Sequence, residues 1–166
     1  MLVGAPGMNA ARDVDVDSAC DFGAFYSAEY ARLVRLAYLL VGSWGDPEGL
    51  AQEAFARVHP RFVSLRDPRA YARATLVNLC RRHQRRTAKE RLVHEAVFSE
   101  VSESDELHEL LDVIDRLPFR QKVVVVLRYY DDQSEEAIAA VLGCRPGTVK
   151  SLAHRALERL RKELSP

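Results

Sequence analysis

The stretch Leu142–Leu157, LGCRPGTVKSLAHRAL, decides how this chain is read. Gly143 enters the left-handed region without a Cβ penalty, Pro146 suits the first turn of a helix, and the residues that follow run in helical rhythm. At about 100° per residue, Val149, Ala153, Ala156 and Leu160 share one side, whereas Gly147, Thr148, Ser151, His154, Arg155 and Glu158 share the other. Upstream, Ser134 is placed to cap a short helix with Glu135 and Glu136 in its first turn, where they complement the helix dipole. A short helix, a glycine-containing turn and a longer second helix form a helix-turn-helix pattern. The apolar side must pack. The polar side offers short hydrogen-bonding groups and then Arg155, which is the chemistry that reads base edges in a major groove, with Lys150 and Arg159 placed for phosphates. An ordinary helical hairpin would carry the same apolar stripe, so the rest of the chain has to discriminate.

Moving outward, RQKVVVVLRYY (120–130) sets four valines in a row, which favours a strand, among helical neighbours and with no strand to pair with, which favours a buried helix. It is read as helix. Leu107, Leu110, Leu111 and Ile114 form one helical face before Leu117-Pro118 stops it. Residues 87–104 have only a weak valine repeat and end in a polar, acidic stretch; they are read as a flexible linker, which fully extended spans up to about 60 Å. Before the linker, Phe22, Phe25, Tyr26, Tyr30, Leu33, Leu36, Ala37 and Leu40 recur at intervals of three and four, an amphipathic helix ending at Gly42. Asp46-Pro47 supplies an N-cap and first-turn proline for a helix carrying Leu50, Ala54, Phe55 and Val58, and His59-Pro60 closes it. Asp67-Pro68 repeats the signal for a helix to about Arg86, with Tyr71, Thr75 and Leu79 on one stripe and Arg69 and Arg73 projecting on the far side. Residues 1–20, small, polar and acidic, are expected to form a disordered tail, with Met8 an alternative start. The expectation is an all-α protein of two small helical domains, 21–86 and 105–166, the second containing the helix-turn-helix.

Of the 166 residues 48% are hydrophobic, enough to bury a core. The 24 basic and 24 acidic side chains cancel overall but are segregated. Residues 57–91 carry 11 basic and 2 acidic groups, a local excess that attracts polyanions, whereas the blocks on either side are acidic. No apolar run approaches the roughly 20 residues that span a bilayer, and the N-terminus lacks the order of a signal peptide, so a cytoplasmic location is expected. Cys20, Cys80 and Cys144 match neither a disulfide framework nor a zinc motif and are read as small apolar residues. No phosphate-binding loop, HExxH or GxGxxG occurs, and the five histidines lie outside any metal or triad spacing. Neither catalysis, nor a metal, nor a cofactor is expected.

The combination resembles the extracytoplasmic-function (group 4) sigma factors of bacterial RNA polymerase. FGAFYSAEYARLVRLAYLLVG (22–42), DPEGLAQEAF (46–55), RAYARATLVNLCRRHQRR (69–86) and the segment from Leu110 to Leu164 occur in that family's order. The resemblance implies one helical domain for the promoter −10 element and another for the −35 element. It assigns Asp46, Glu48, Leu50, Gln52, Glu53 and Phe55 to core polymerase binding, the acidic groups meeting a basic coiled coil on the largest subunit and Leu50 and Phe55 anchoring the helix. It assigns Phe62, Arg66, Asn78, Arg81, Arg82 and Arg85 to the −10 element, where opened strands must be held and neutralised. Thr148, Lys150, Ser151, His154, Arg155 and Arg159 fall to the −35 element, and an anti-sigma factor is an implied partner.

The chain departs from the family pattern at Gly49, where a carboxylate is usual and glycine costs a helix about 1 kcal/mol, and at Leu152, Ala153 and Leu157 in the recognition helix. These changes leave fewer phosphate contacts at −35. The alternative is a sigma-like helix-turn-helix DNA-binding regulator or adaptor that acts without promoter opening; a regulator that binds duplex DNA without polymerase leaves DPEGLAQEAF and the first basic helix without a task, and an adaptor working through protein contacts has only Gly49 and the depleted recognition helix in its support.

Overall fold

The punctuation read from the sequence becomes helix boundaries in a computed structural model, which describes residues 16–42, 45–94 and 106–164. Helix α1 (Val16–Val41) begins earlier than the periodicity from Phe22 suggests, taking up part of the expected tail, and ends at Gly42 with φ 74°. Helix α2 (Pro47–Val58) starts under Asp46, whose carboxylate accepts from the Gly49 N–H at 3.1 Å. Asp46 is itself left-handed, with φ 51°. A Cβ on residue 49 would press on the Asp46 carboxylate, the movable end of the capping side chain, so a larger residue there would shift the cap. A 3₁₀ segment (His59–Ser64) follows, and Asp67 then caps α3 (Pro68–His94) by accepting from the Ala70 N–H at 2.9 Å. Helix α3 continues through residues 87–94, where a linker was expected. The remainder of that linker lies outside the described residues, as does the tail up to residue 15.

Helix α4 (Glu106–Asp115) and α5 (Phe119–Val125) lead into a π-helical turn (Val126–Tyr130), followed by α6 (Glu135–Leu142) and α7 (Pro146–Leu164). The valine run is helical, and no strand occurs among the described residues. Its last turn is wider than an α-helix: the Asp131 N–H donates to Val126 O, five residues back, at 3.1 Å. Ser134 caps α6 by accepting from the Ala137 N–H at 3.2 Å, and Gly143 ends it at φ 62°.

Leu36, Leu40, Ala51, Phe55, Val58, Leu76 and Cys80 fill the centre of the first three helices. Burial pushes the Cys80 thiol up to about 12, so it stays a neutral, small apolar group. The second half packs against the first. Val123, Val124, Leu127, Ile138 and Val149 join the same buried cluster, while Val113, Leu117, Val125, Ala156 and Leu160 form a smaller one on the other side of α5.

Two glycines bracket the turn before α7 and make opposite predictions. No atom lies within 4 Å of a Cβ built on either Gly143 or Gly147, but only Gly143 has positive φ. Gly143→Ala should therefore destabilise by about 1–2 kcal/mol through backbone strain alone. Gly147→Ala, inside the helix, should stabilise by up to about 1 kcal/mol. Thermal unfolding of the two variants checks the signs.

Candidate nucleic-acid interface

The −35 candidates lie on one helix and on one side of it. Val149, Ala153, Ala156 and Leu160 are buried, and Thr148, Lys150, Ser151, His154, Arg155 and Arg159 are all exposed. Three of the six have light internal tethers. The Ser151 hydroxyl donates to Gly147 O at 3.1 Å, Lys150 Nζ stands 3.6 Å from Glu135, and His154 Nε2 stands 3.3 Å from Glu158. Such exposed contacts are worth little and exchange readily for a ligand. Glu136, in the first turn of α6, is held below its ordinary pKa by its own backbone N–H, then by Ser134, with Lys150 adding a smaller attraction. Its support for that turn is therefore present at neutral pH and is lost as pH falls through the carboxylate range. Leu152 packs partly against the core, which explains an apolar residue where a phosphate-binding arginine was looked for.

The −10 candidates divide into two places. Phe62, in the 3₁₀ segment, is half-buried, its ring 5.2 Å from Phe25 and 5.4 Å from Phe22, so it serves the loop as an anchor as much as a contact surface. Arg66 is exposed beside it. Asn78 Oδ1 accepts from Arg81 at 2.8 Å. Arg82 and Arg85, with Arg86, line a groove whose far wall is Glu53 and Arg57 of α2. Val63, inside the same 62–66 loop but not singled out from the sequence, is the most exposed large apolar side chain among the described residues, at 77%. Its signal was an apolar residue in a short loop flanked by arginines, with no helical partner to pack against.

Among the residues assigned to polymerase binding, Leu50 and Phe55 are buried in the core and hold α2 in place. Asp46 is occupied as a cap, and Glu48, Gln52 and Glu53 are exposed. Glu53 also pairs with Arg57. Of the basic block, Arg57, Arg69 and Arg73 are held by carboxylates; Arg69 binds Glu29 and Arg73 binds Asp131. Arg73 is only 11% exposed and does not project freely as its helical position suggested. No cluster of three or more His, Cys, Asp or Glu placed for a metal occurs among the described residues, and no described helix is long and apolar enough to cross a membrane.

An exposed polar helix face on a helix-turn-helix and an arginine-lined groove on a second helical unit are surfaces suited to a polyanion. Comparison with known proteins agrees. Residues 25–90 match the model of sigma-70 region 2, and residues 107–160 match that of sigma-70 region 4. The RNA polymerase sigma-E factor of Streptomyces coelicolor is 36% identical over 152 residues, covering 87% of this chain and 86% of that protein. The ECF RNA polymerase sigma factor SigL of Mycobacterium tuberculosis is 32% identical over 156 residues, covering 85% and 87%. The sigma factor RpoE of Bartonella quintana, solved with the anti-sigma factor NepR, shares the fold with a TM-score of 0.72 at 24% identity, over 87% of this chain and 96% of that one. The chain belongs to the extracytoplasmic-function sigma factors of RNA polymerase.

The groove makes a prediction that needs no promoter. Arg82→Ala and Arg85→Ala should each elute from heparin at lower salt, the slope of log affinity on log salt falling by about 1 per arginine. Arg57→Ala, whose charge Glu53 already offsets, should shift less.

Proposed function

We propose that this sigma factor reads the −35 element through α7 and the −10 element through the 59–67 loop and α3, while α2 seats it on core polymerase. One observation carries the reading: every polar residue assigned to −35 contact is exposed on one helix whose opposite side is buried. Arg155 and Ser151 face base edges in this reading, His154 lies beside them, and Lys150 and Arg159 meet phosphates. At −10, Val63 and Phe62 offer apolar surface to unstacked bases and the groove arginines neutralise the strand. Glu48, Gln52 and Glu53 present the polar face toward a basic partner. The protein acts as an initiation factor in the cytoplasm and performs no catalysis of its own. The solved relatives RpoE and CnrH were captured with the anti-sigma factor NepR and the cytosolic domain of CnrY, which supports an anti-sigma factor as a partner here too.

Run-off transcription with purified bacterial core polymerase on a library of candidate promoters tests the reading, and specific initiation is the expected result. Arg155→Ala should cost about 1–3 kcal/mol, roughly 5- to 150-fold in −35 binding, and relax preference at one or two positions. Lys150→Ala should weaken all sequences alike and lower the salt slope by about 1. Unchanged affinity and preference in Arg155→Ala would put the DNA face elsewhere on α7.

Glu53→Lys with Gln52→Ala should weaken association with core polymerase in a pull-down while leaving helical circular dichroism intact, because both side chains are exposed. Full association by the double variant removes α2 from the polymerase interface.

A further inference from the structure

Glu135, in the first turn of α6, stands between two cations from neighbouring elements. Its Oε1 accepts from Arg128 of the π-helical turn at 2.9 Å, and its Oε2 lies 3.6 Å from the Nζ of Lys150 in α7. The carboxylate is the most covered of the three side chains, 23% exposed against 38% for Arg128 and 70% for Lys150, so it sits beneath the two cations rather than over them. The Arg128 guanidinium also lies 5.9 Å from the centre of the exposed Tyr129 ring, which keeps it at the surface. Glu136 follows, exposed, so the first turn of α6 carries two carboxylates.

This is the end of a helix where a nucleic-acid backbone would be expected to lie. In a helix-turn-helix on DNA the first helix crosses the backbone, and a helix N-terminus attracts phosphate through its free N–H groups and the positive end of its dipole. In α6 that demand is already met from within the chain. The Ser134 hydroxyl accepts from the Ala137 N–H, and Glu135 and Glu136 complement the dipole. For folding, the arrangement is favourable. For a phosphate it is the reverse: Arg128 and Lys150 already hold an anion of the kind their donors would otherwise give to DNA, and an incoming phosphate meets a like charge at short range. The groups assigned to base edges are held apart from this cluster, since Ser151 donates to Gly147 O and His154 meets Glu158.

We propose that Glu135 takes the place of a DNA phosphate between Arg128 and Lys150, and so weakens the hold of the helix-turn-helix on the DNA backbone without touching the residues that meet bases. The inference rests on the −35 reading of α7. Its consequence is a protein for which arbitrary DNA competes poorly, because the attraction that every sequence shares is reduced at its source. Promoter binding then depends on the contacts made together with α2 and α3.

Binding of the full chain across a salt series tests this, with one duplex of random sequence and one carrying a −35 element recovered by run-off transcription. Glu135→Gln, of nearly the same shape without the charge, should bind both duplexes about 3- to 10-fold tighter at about 0.1 M salt and steepen the slope of log affinity on log salt by up to about 1. Glu109→Gln, which removes the same charge from the exposed side of α4, should change binding by less than about 2-fold. In an Arg128→Ala, Lys150→Ala background the gain should largely disappear, because the cations that Glu135→Gln frees are gone. A folded Glu135→Gln with wild-type affinity and slope overturns the proposal, as does an equal gain in Glu109→Gln or a gain undiminished without Arg128 and Lys150. Should Glu135→Gln fail to fold, Glu135→Ala, with the highest helix propensity, decides by the same measurements. A wild type that prefers the −35 duplex, with no gain in Glu135→Gln, removes the role of Glu135 and keeps the −35 reading. An equal gain on both duplexes, with no variant preferring the −35 element, removes that reading and keeps Glu135 as a brake on backbone binding.

Discussion

Every residue from Gln121 to Leu127 is buried, and the rest of the structure is arranged around that requirement. Four consecutive valines cover most of the circumference of a helix, so α5 cannot lie on a surface as an amphipathic helix does. Val125 faces the small cluster with Val113, Ala156 and Leu160, while Val123, Val124, Val126 and Leu127 look into the large one. The helix-turn-helix packs on α5 from one direction and the first three helices from another. Presentation of the polar face of α7 follows from this, because Val149 and Ala153 are drawn toward α5 and α6 and the opposite side is left to solvent.

Local signals in the sequence were sufficient for most boundaries. Asp46-Pro47, Asp67-Pro68, Ser134 and Gly143 each act within four residues, through a side-chain cap or a left-handed backbone, and each marks a helix end in the structure. The apolar stripe of α7 was equally legible, since a single periodicity decides it. Features that depend on distant residues were not. Arg32 and Asp131 are 99 positions apart, Arg73 and Asp131 are 58 apart, and an isolated arginine on a helix face gives no sign of the carboxylate it will meet. The π-helical turn replaces one hydrogen-bonding pattern with another of similar composition, so periodicity does not announce it. At Gly49 a propensity scale charges glycine for backbone freedom and carries nothing of the capping Asp46 carboxylate that lies where its Cβ would be.

Counting charge along the sequence also overstated what the basic block offers a ligand. Arg57, Arg69 and Arg73 are already partnered, and Arg82, Arg85 and Arg86 gather in one groove against α2. The groove thus lies beside the helix assigned to polymerase contact, and binding of polymerase and binding of nucleic acid would share one electrostatic environment. Glu53 balances only part of the repulsion among the three arginines.

A polar contact between the halves differs in kind from an apolar one. Hydrophobic contact is non-directional and grows with the area covered. Arginine and aspartate, by contrast, meet in a fixed fork geometry. The interface between α1, α3 and the π-helical turn combines both: apolar contact around Leu33 and Leu127 holds the helices together, and the charged contact of Asp131 with Arg32 and Arg73 selects one geometry.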